Sequence, residues 1–125
     1  MTMTRRFTIL THDHPYLHWD FLVENGESLL AWRLLEEPDG MHSFAVEPLP
    51  DHRTLYLDYE GPVSRNRGSV VQWDTGICEM AESPEFGFTF ELEGKRLKGR
   101  LRLEWVEGES RWICYPPGCS SSGSD

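Results

Sequence analysis

Cysteine is scarce: Cys78, Cys114 and Cys119 are the only three in the chain. Their spacing fits no zinc-binding pattern, and an odd number argues against a disulfide framework. A reducing cytoplasm is the expected setting. Long apolar runs are also missing. After the two N-terminal arginines only the short stretch 7–10 is apolar, too little for a signal-peptide core. No stretch approaches a membrane span, so no membrane association is expected. Basic residues are outnumbered, with 12 Lys and Arg against 21 Asp and Glu and a formal net charge of −9. That excludes a general coat for nucleic acid, whose affinity comes mainly from Lys and Arg on phosphates. It leaves room for a small local basic site, and for carboxylates that suit a divalent cation. Helical periodicity is absent too; residues 32–37 read at most as one helical turn.

What remains is an ordinary globular composition, 38% apolar and 26% charged over 125 residues. One hydrophobic core fits that length and two do not. The pattern is one of short strands. Residues 7–11 are apolar and β-branched. Residues 17–24 alternate, with Leu17, Trp19, Phe21 and Val23 on one face and His18, Asp20 and Leu22 on the other. Asn25-Gly26 signals a hairpin, and 28–35 is the returning strand. Further strands are expected at 42–47, 54–59, 69–73, 86–92, 97–106 and 111–115. Turns are expected at 36–40, at the Pro48/Pro50 loop, at Asp74-Thr75-Gly76 and at 93–95. The fold class is therefore all-β, a barrel or sandwich of short antiparallel strands with at most short helical turns. One domain is expected over 1–115, followed by a flexible Pro/Gly/Ser-rich tail over 116–125.

Chemistry concentrates in His12-Asp13-His14-Pro15-Tyr16-Leu17-His18-Trp19-Asp20, where three of the five histidines lie within seven positions. Residues two apart on a strand share a face, so His18 and Asp20 project together. His12 precedes Pro15, where a bend can bring it back to that pair. Two imidazoles and a carboxylate can hold Mn²⁺, Fe²⁺ or Zn²⁺ and leave positions open for water and substrate. The same spacing also suits a polar strand face with solvated histidines. In a second cluster, Asp51-His52-Arg53-Thr54-Leu55-Tyr56, a His and a Tyr four apart can bind phosphate and assist as acid. Taken alone, that cluster reads more simply as a loop histidine and a core tyrosine whose hydroxyl reaches water. Arg65 and Arg67 lie in a short loop able to grip phosphate oxygens, or simply solvated. Lys98, Arg100 and Arg102 form a basic strand face that solvent exposure alone would account for.

Taken in order, five motifs resemble one family. They are His12…His18-Trp19-Asp20-Phe21; Asp51-His52…Tyr56; Asp58-Tyr59-Glu60-Gly61; Trp73-Asp74-Thr75-Gly76; and Leu97-Lys98-Gly99-Arg100. Their order and rough spacing are similar to the 3′-phosphoesterase domain of DNA ligase D, over residues 11–115. The resemblance implies a small closed or nearly closed β-barrel and a divalent metal, usually manganese. It implies removal of a 3′-phosphate or 3′-ribonucleoside from a primer–template end in DNA repair, beside ligase or end-joining proteins. By position His12, His18 and Asp20 resemble the metal ligands, and His52 and Tyr56 the residues that engage the scissile phosphate. The family usually has a phosphate-contacting arginine two residues after the metal-binding aspartate, where this chain has Leu22. A second family arginine has no counterpart among 41–50. Arg53, Arg65 or Arg67 are the candidates to compensate. The family's usual ligase and polymerase companions are absent, so a stand-alone version is expected. Three readings follow: a metal-dependent 3′-end phosphoesterase, a metal-binding module without turnover that binds DNA ends or partner proteins, and a phosphoesterase with another small substrate.

Overall fold

A computed structural model describes residues 4–119. Alternating apolar residues and glycine-marked turns produce nine strands among the described residues: β1 (Thr4–His12), β2 (His18–Asn25), β3 (Ser28–Leu34), β4 (Phe44–Arg53), β5 (Gly61–Pro62), β6 (Ser69–Ser83), β7 (Gly87–Gly94), β8 (Lys98–Val106) and β9 (Arg111–Tyr115). Every pairing is antiparallel, in the order β1-β2-β3-β4-β9-β8-β7-β6. β6 pairs back onto β1 and closes an eight-strand barrel, with β5 added along the first residues of β6. Closure leaves few unpaired edges. The expected barrel is therefore what the chain forms, with only two 3₁₀ turns, Thr54–Leu57 and Glu107–Glu109, as helical content among the described residues.

The interior is one cluster to which the barrel strands all contribute, including Phe7, Phe21, Trp32, Phe44, Cys78, Phe90, Leu101 and Cys114. Phe21 meets Phe90 edge to face with ring centroids 5.0 Å apart, the offset geometry that aromatic quadrupoles favour. A second cluster lies on the outside of β1–β3. There Leu10, Leu22, Leu29 and Ala31 are covered by Leu57, Val63 and Val70. The first strands are thus buried on both faces, which is why Phe21, Leu22 and Val23 are all fully enclosed. Each such side chain contributes about 1.5–3 kcal/mol of burial.

Four expectations are corrected. Pro48 and Pro50 belong to β4, not to a loop. β4 pairs with β9 only over Phe44–Val46, so beyond Val46 it has a free side where proline is tolerated. The strand expected at 54–59 is the 3₁₀ turn Thr54–Leu57, whose Leu57 plugs the outer cluster. Residues 32–34 are strand rather than helical turn. Asp74-Thr75-Gly76 does not stop β6, which runs 15 residues. Ile9 pairs with Asp74 and Leu10 with Gln72, so Trp73 is the extra residue of a β-bulge. The Asp74 carboxylate accepts the backbone N–H groups of Thr75, Arg96 and Leu97 at 2.8, 2.9 and 2.9 Å. Gly76 is needed because a Cβ there would stand 2.1 Å from the Glu93 carbonyl oxygen. The turn chemistry read in this motif serves a bulge and its anchor.

At the C-terminal end, Pro116 and Cys119 are buried, and the Cys119 N–H donates to the Pro116 carbonyl at 2.9 Å. The first four residues of the expected tail are thus packed in a turn; residues 120–125 lie outside the described residues.

Candidate metal centre

Strand register builds the His/Asp cluster. His12 ends β1, His18 begins β2, and the two are directly paired. Directly opposed residues put their side chains on the same face, and the rings lie 4.8 Å apart between centroids. Asp20, two residues along β2, shares that face. The connecting loop is pinned by Asp13, whose Oδ1 accepts the Ser69 N–H at 2.9 Å. Gly68, at φ +74°, permits this approach, since a Cβ there would lie 2.2 Å from the same oxygen.

The hydrogen bonds aim the rings. His18 Nδ1 donates to the Tyr16 carbonyl at 2.8 Å, and His12 Nε2 donates to the Arg67 carbonyl at 2.9 Å. The opposite nitrogens, His12 Nδ1 and His18 Nε2, stand 3.0 and 3.1 Å from the two carboxylate oxygens of Asp20. The three donor atoms all lie within 4.8 Å of one another. His18 and Asp20 are buried, and His12 is partly open to solvent.

Burial pushes the Asp20 carboxyl upward, but the His12 hydrogen bond and the closeness of both imidazoles outweigh it and hold it at about 2. The Asp20 hydrogen bond in turn raises the His12 imidazole above its ordinary value. Both His12 nitrogens face acceptors, as a charged, doubly protonated ring requires. The contact from His18 Nε2 is close but not aligned for hydrogen bonding, so Asp20 Oδ1 is a buried oxygen with no hydrogen-bond partner. A buried carboxylate oxygen left unmet is costly. Two imidazoles with their far nitrogens donated to backbone carbonyls, around an orphaned carboxylate oxygen, fit a transition-metal ion well.

The cluster does not sit inside the barrel. Phe21 and Val23 point inward, whereas His18, Asp20 and Leu22 face the outer layer, so the site is a groove on the outer wall. Two adjoining cavities of about 290 and 310 Å³ open there, both lined by His12, Asp20, His52 and Arg67. His52 arrives from β4, opposite Leu29 on β3. Its Nδ1 is held by the Pro50 carbonyl at 2.9 Å, which leaves Nε2 available. Tyr56 and Arg53 line the first cavity, and the Tyr56 ring packs edge-on against His52 at 6.1 Å.

Of the loop arginines, Arg67 lines both cavities, although its guanidinium donates to Ser64 at 2.9 and 3.1 Å. Arg65 is exposed at the loop tip with φ +63° and lines neither cavity. The basic face of β8 is occupied within the barrel wall: Lys98 donates to the Gly94 carbonyl, Arg100 pairs with Glu91, and Arg102 pairs with Glu104 and stacks on Tyr115. Leu22 is fully enclosed in the outer apolar cluster. Arg33 on β3 was not singled out from the sequence, yet it lies directly opposite Asp20 and lines the second cavity. Its signal was the alternation Leu30, Trp32, Leu34, which turns Arg33 outward.

Comparison with known proteins gives two findings. The family described as "DNA Ligase D 3′-phosphoesterase domain" matches residues 10–104. The "Multifunctional non-homologous end joining protein LigD" of Pseudomonas aeruginosa is 30% identical over 122 positions, covering 86% of this chain. The chain spans 14% of that relative's length.

Proposed function

Because the chain belongs to the DNA ligase D 3′-phosphoesterase domain family, we propose that it is a metal-dependent phosphoesterase that trims 3′ ends of nucleic acid during DNA repair. The observation that carries this reading is the convergence of His12 Nδ1, His18 Nε2 and an Asp20 oxygen beside His52 in one groove. Those three atoms would hold a divalent cation, with manganese the first candidate and zinc the second. When bound, such an ion polarises a phosphoryl oxygen and lowers the pKa of a coordinated water.

The chain's own residues supply the rest. His52, fixed through an Nδ1–H donated to the Pro50 carbonyl, turns Nε2 to the groove, and as the imidazolium it would donate from Nε2 to the developing charge or to the leaving oxygen. Tyr56 lines the same groove and would offer its hydroxyl to a phosphoryl oxygen. Arg53 and Arg67 add positive charge along the same wall. The groove is open rather than enclosed, which suits the end of a strand. Primer–template 3′ ends are the expected substrate, and the ligase and end-joining proteins that act on such ends are the expected partners.

The test is removal of a 3′-phosphate or terminal ribonucleoside from a labelled primer–template with added Mn²⁺, beside metal binding by calorimetry. His18→Ala and Asp20→Ala are expected to lose both activity and metal binding. Full activity in both variants would overturn the reading. One observation favours a second reading, a module that binds ends without turnover: Leu22 contributes no charge to the groove and is wholly buried. Stoichiometric end binding with no product at saturating Mn²⁺ would select it.

A further inference from the structure

We propose that Arg33 is a phosphate-binding residue of this groove, gripping the terminal phosphoryl oxygens of the substrate. The outer-face ladder across β1–β4 runs Leu10, Asp20, Arg33, Glu47. Directly opposed Cβ atoms in an antiparallel sheet stand about 5 Å apart, so the Arg33 side chain leaves its strand beside Asp20, and its guanidinium extends to Tyr16 and Glu47. It lines the same cavity as His12, His18, His52 and Arg67.

The bonding of this arginine is incomplete. Its Nη1 donates to the Tyr16 hydroxyl at 3.2 Å and, at the limit of hydrogen bonding, to Glu47 at 3.5 Å. Its Nε is buried with no partner. A guanidinium carries five N–H donors in a planar fork that matches two oxygens of a phosphate. Leaving a buried donor unmet costs free energy, and rotation about the outer torsions into the cavity would give that donor an acceptor. Tyr16 positions the movement. Its hydroxyl accepts from Arg33, its ring packs edge-on against His18 at 5.7 Å, and its carbonyl orients His18. The loop that aims the imidazole also aims the guanidinium.

The other arginines are worse placed. Arg67 is bound by Ser64, and Arg53 lines only the cavity away from His18. The competing role for Arg33 is a purely structural partner of Asp20, whose Oδ1 is likewise unmet. The substrate class is a terminal phosphomonoester dianion, or a phosphodiester at a strand end. This part rests on the phosphoesterase reading; the anion site itself does not.

The experiment compares wild type with Arg33→Met, which keeps the aliphatic stem, in two arms. In the first, kcat/KM on a 3′-phosphorylated primer is expected to fall about tenfold to a hundredfold, with metal affinity within twofold of wild type. In the second, fluorescence anisotropy compares 3′-phosphorylated and 3′-hydroxyl primers that are otherwise identical. Wild type is expected to prefer the phosphate at least several-fold, and Arg33→Met to lose that preference. If wild type turns nothing over but shows the preference, and the variant loses it, the phosphoesterase reading fails and the anion site stands. If wild type is active and the variant matches it in both arms, the phosphoesterase reading stands and this inference falls; absence of the preference in an inactive wild type overturns it too. Should the variant not fold, the side-chain Nε–H resonance of Arg33 in wild type decides. It is expected to shift saturably with inorganic phosphate, and a fixed resonance would overturn the assignment.

Discussion

Replacing Asp74 by alanine is expected to cost a large part of the fold's stability, although the residue lies away from the groove. Its carboxylate accepts three backbone N–H groups, from Thr75, Arg96 and Leu97, and only 3% of the residue is exposed. Each buried donor left unmet costs about 1–3 kcal/mol. The Leu97 amide is fully buried and the other two partly so. The loss should therefore be on the order of 3–5 kcal/mol, against a typical total of about 5–15 kcal/mol. Asp74→Asn keeps an oxygen for Thr75 and Arg96 but turns an amide NH₂ toward the Leu97 N–H, so it should cost roughly half as much. Urea unfolding followed by tryptophan fluorescence measures both. A midpoint shift worth less than about 1 kcal/mol for the alanine variant, with an unchanged m-value, would show that the carboxylate is not the anchor of the bulge and the β7–β8 turn.

Two further outcomes are expected. In chelator-treated protein the His12–Asp20 pair should give stability a pH window. Asp20 is held at about 2 in the fold against an ordinary 3.8, so its contribution, on the order of 2 kcal/mol, is present above 3.8 and lost as pH falls toward 2. His12 is raised above 6.5, so its contribution is complete below 6.5 and lost as pH rises through the folded value. Asp20→Asn should remove its share of the acid limb, and identical urea midpoints against pH in variant and wild type would refute the assignment. Binding to a primer–template should weaken only gently with salt. Arg33, Arg53 and Arg67 are the arginines lining the two cavities of the groove, so the log–log slope should be no steeper than about −3. A much steeper slope would reveal a basic surface outside the groove.

The barrel was legible because its strands alternate and its turns carry Gly, Asn and Pro, and the His12/His18/Asp20 cluster was legible because period 2 puts its members on one face. Three elements were misread for definable reasons. Thr54–Leu57 has strand-like composition, but the chain must leave the barrel wall there to cover the outer apolar cluster, and a 3₁₀ turn does so. Pro48 and Pro50 read as loop because proline breaks interior strands, yet most of β4, beyond Val46, has no neighbour on one side. Trp73-Asp74-Thr75-Gly76 read as a strand stop because bulges and turns call on the same residue types. The side of the wall on which the cluster sits was not legible. That depends on a second apolar layer assembled from residues far apart in sequence.

Arg33 shows how fine the remaining margin is. Had Asn25-Gly26 formed the two central residues of the hairpin loop, Glu24 would face Glu27 and Asp20 would face Ala31. Instead Gly26 is the first loop residue, at φ +66°, Asn25 pairs with Ser28, and Asp20 faces Arg33. A glycine with positive φ at the first of two loop positions is the type II′ arrangement, and it suits the right-handed twist of the strands as well as the Asn-Gly alternative does. Local turn chemistry cannot choose between registers two residues apart, because both keep Trp32 and Leu34 facing inward. The choice falls to the contacts that one register makes and the other loses, and the site depends on it. In one, the residue opposite Asp20 carries a methyl group; in the other, it carries a guanidinium with a donor unmet.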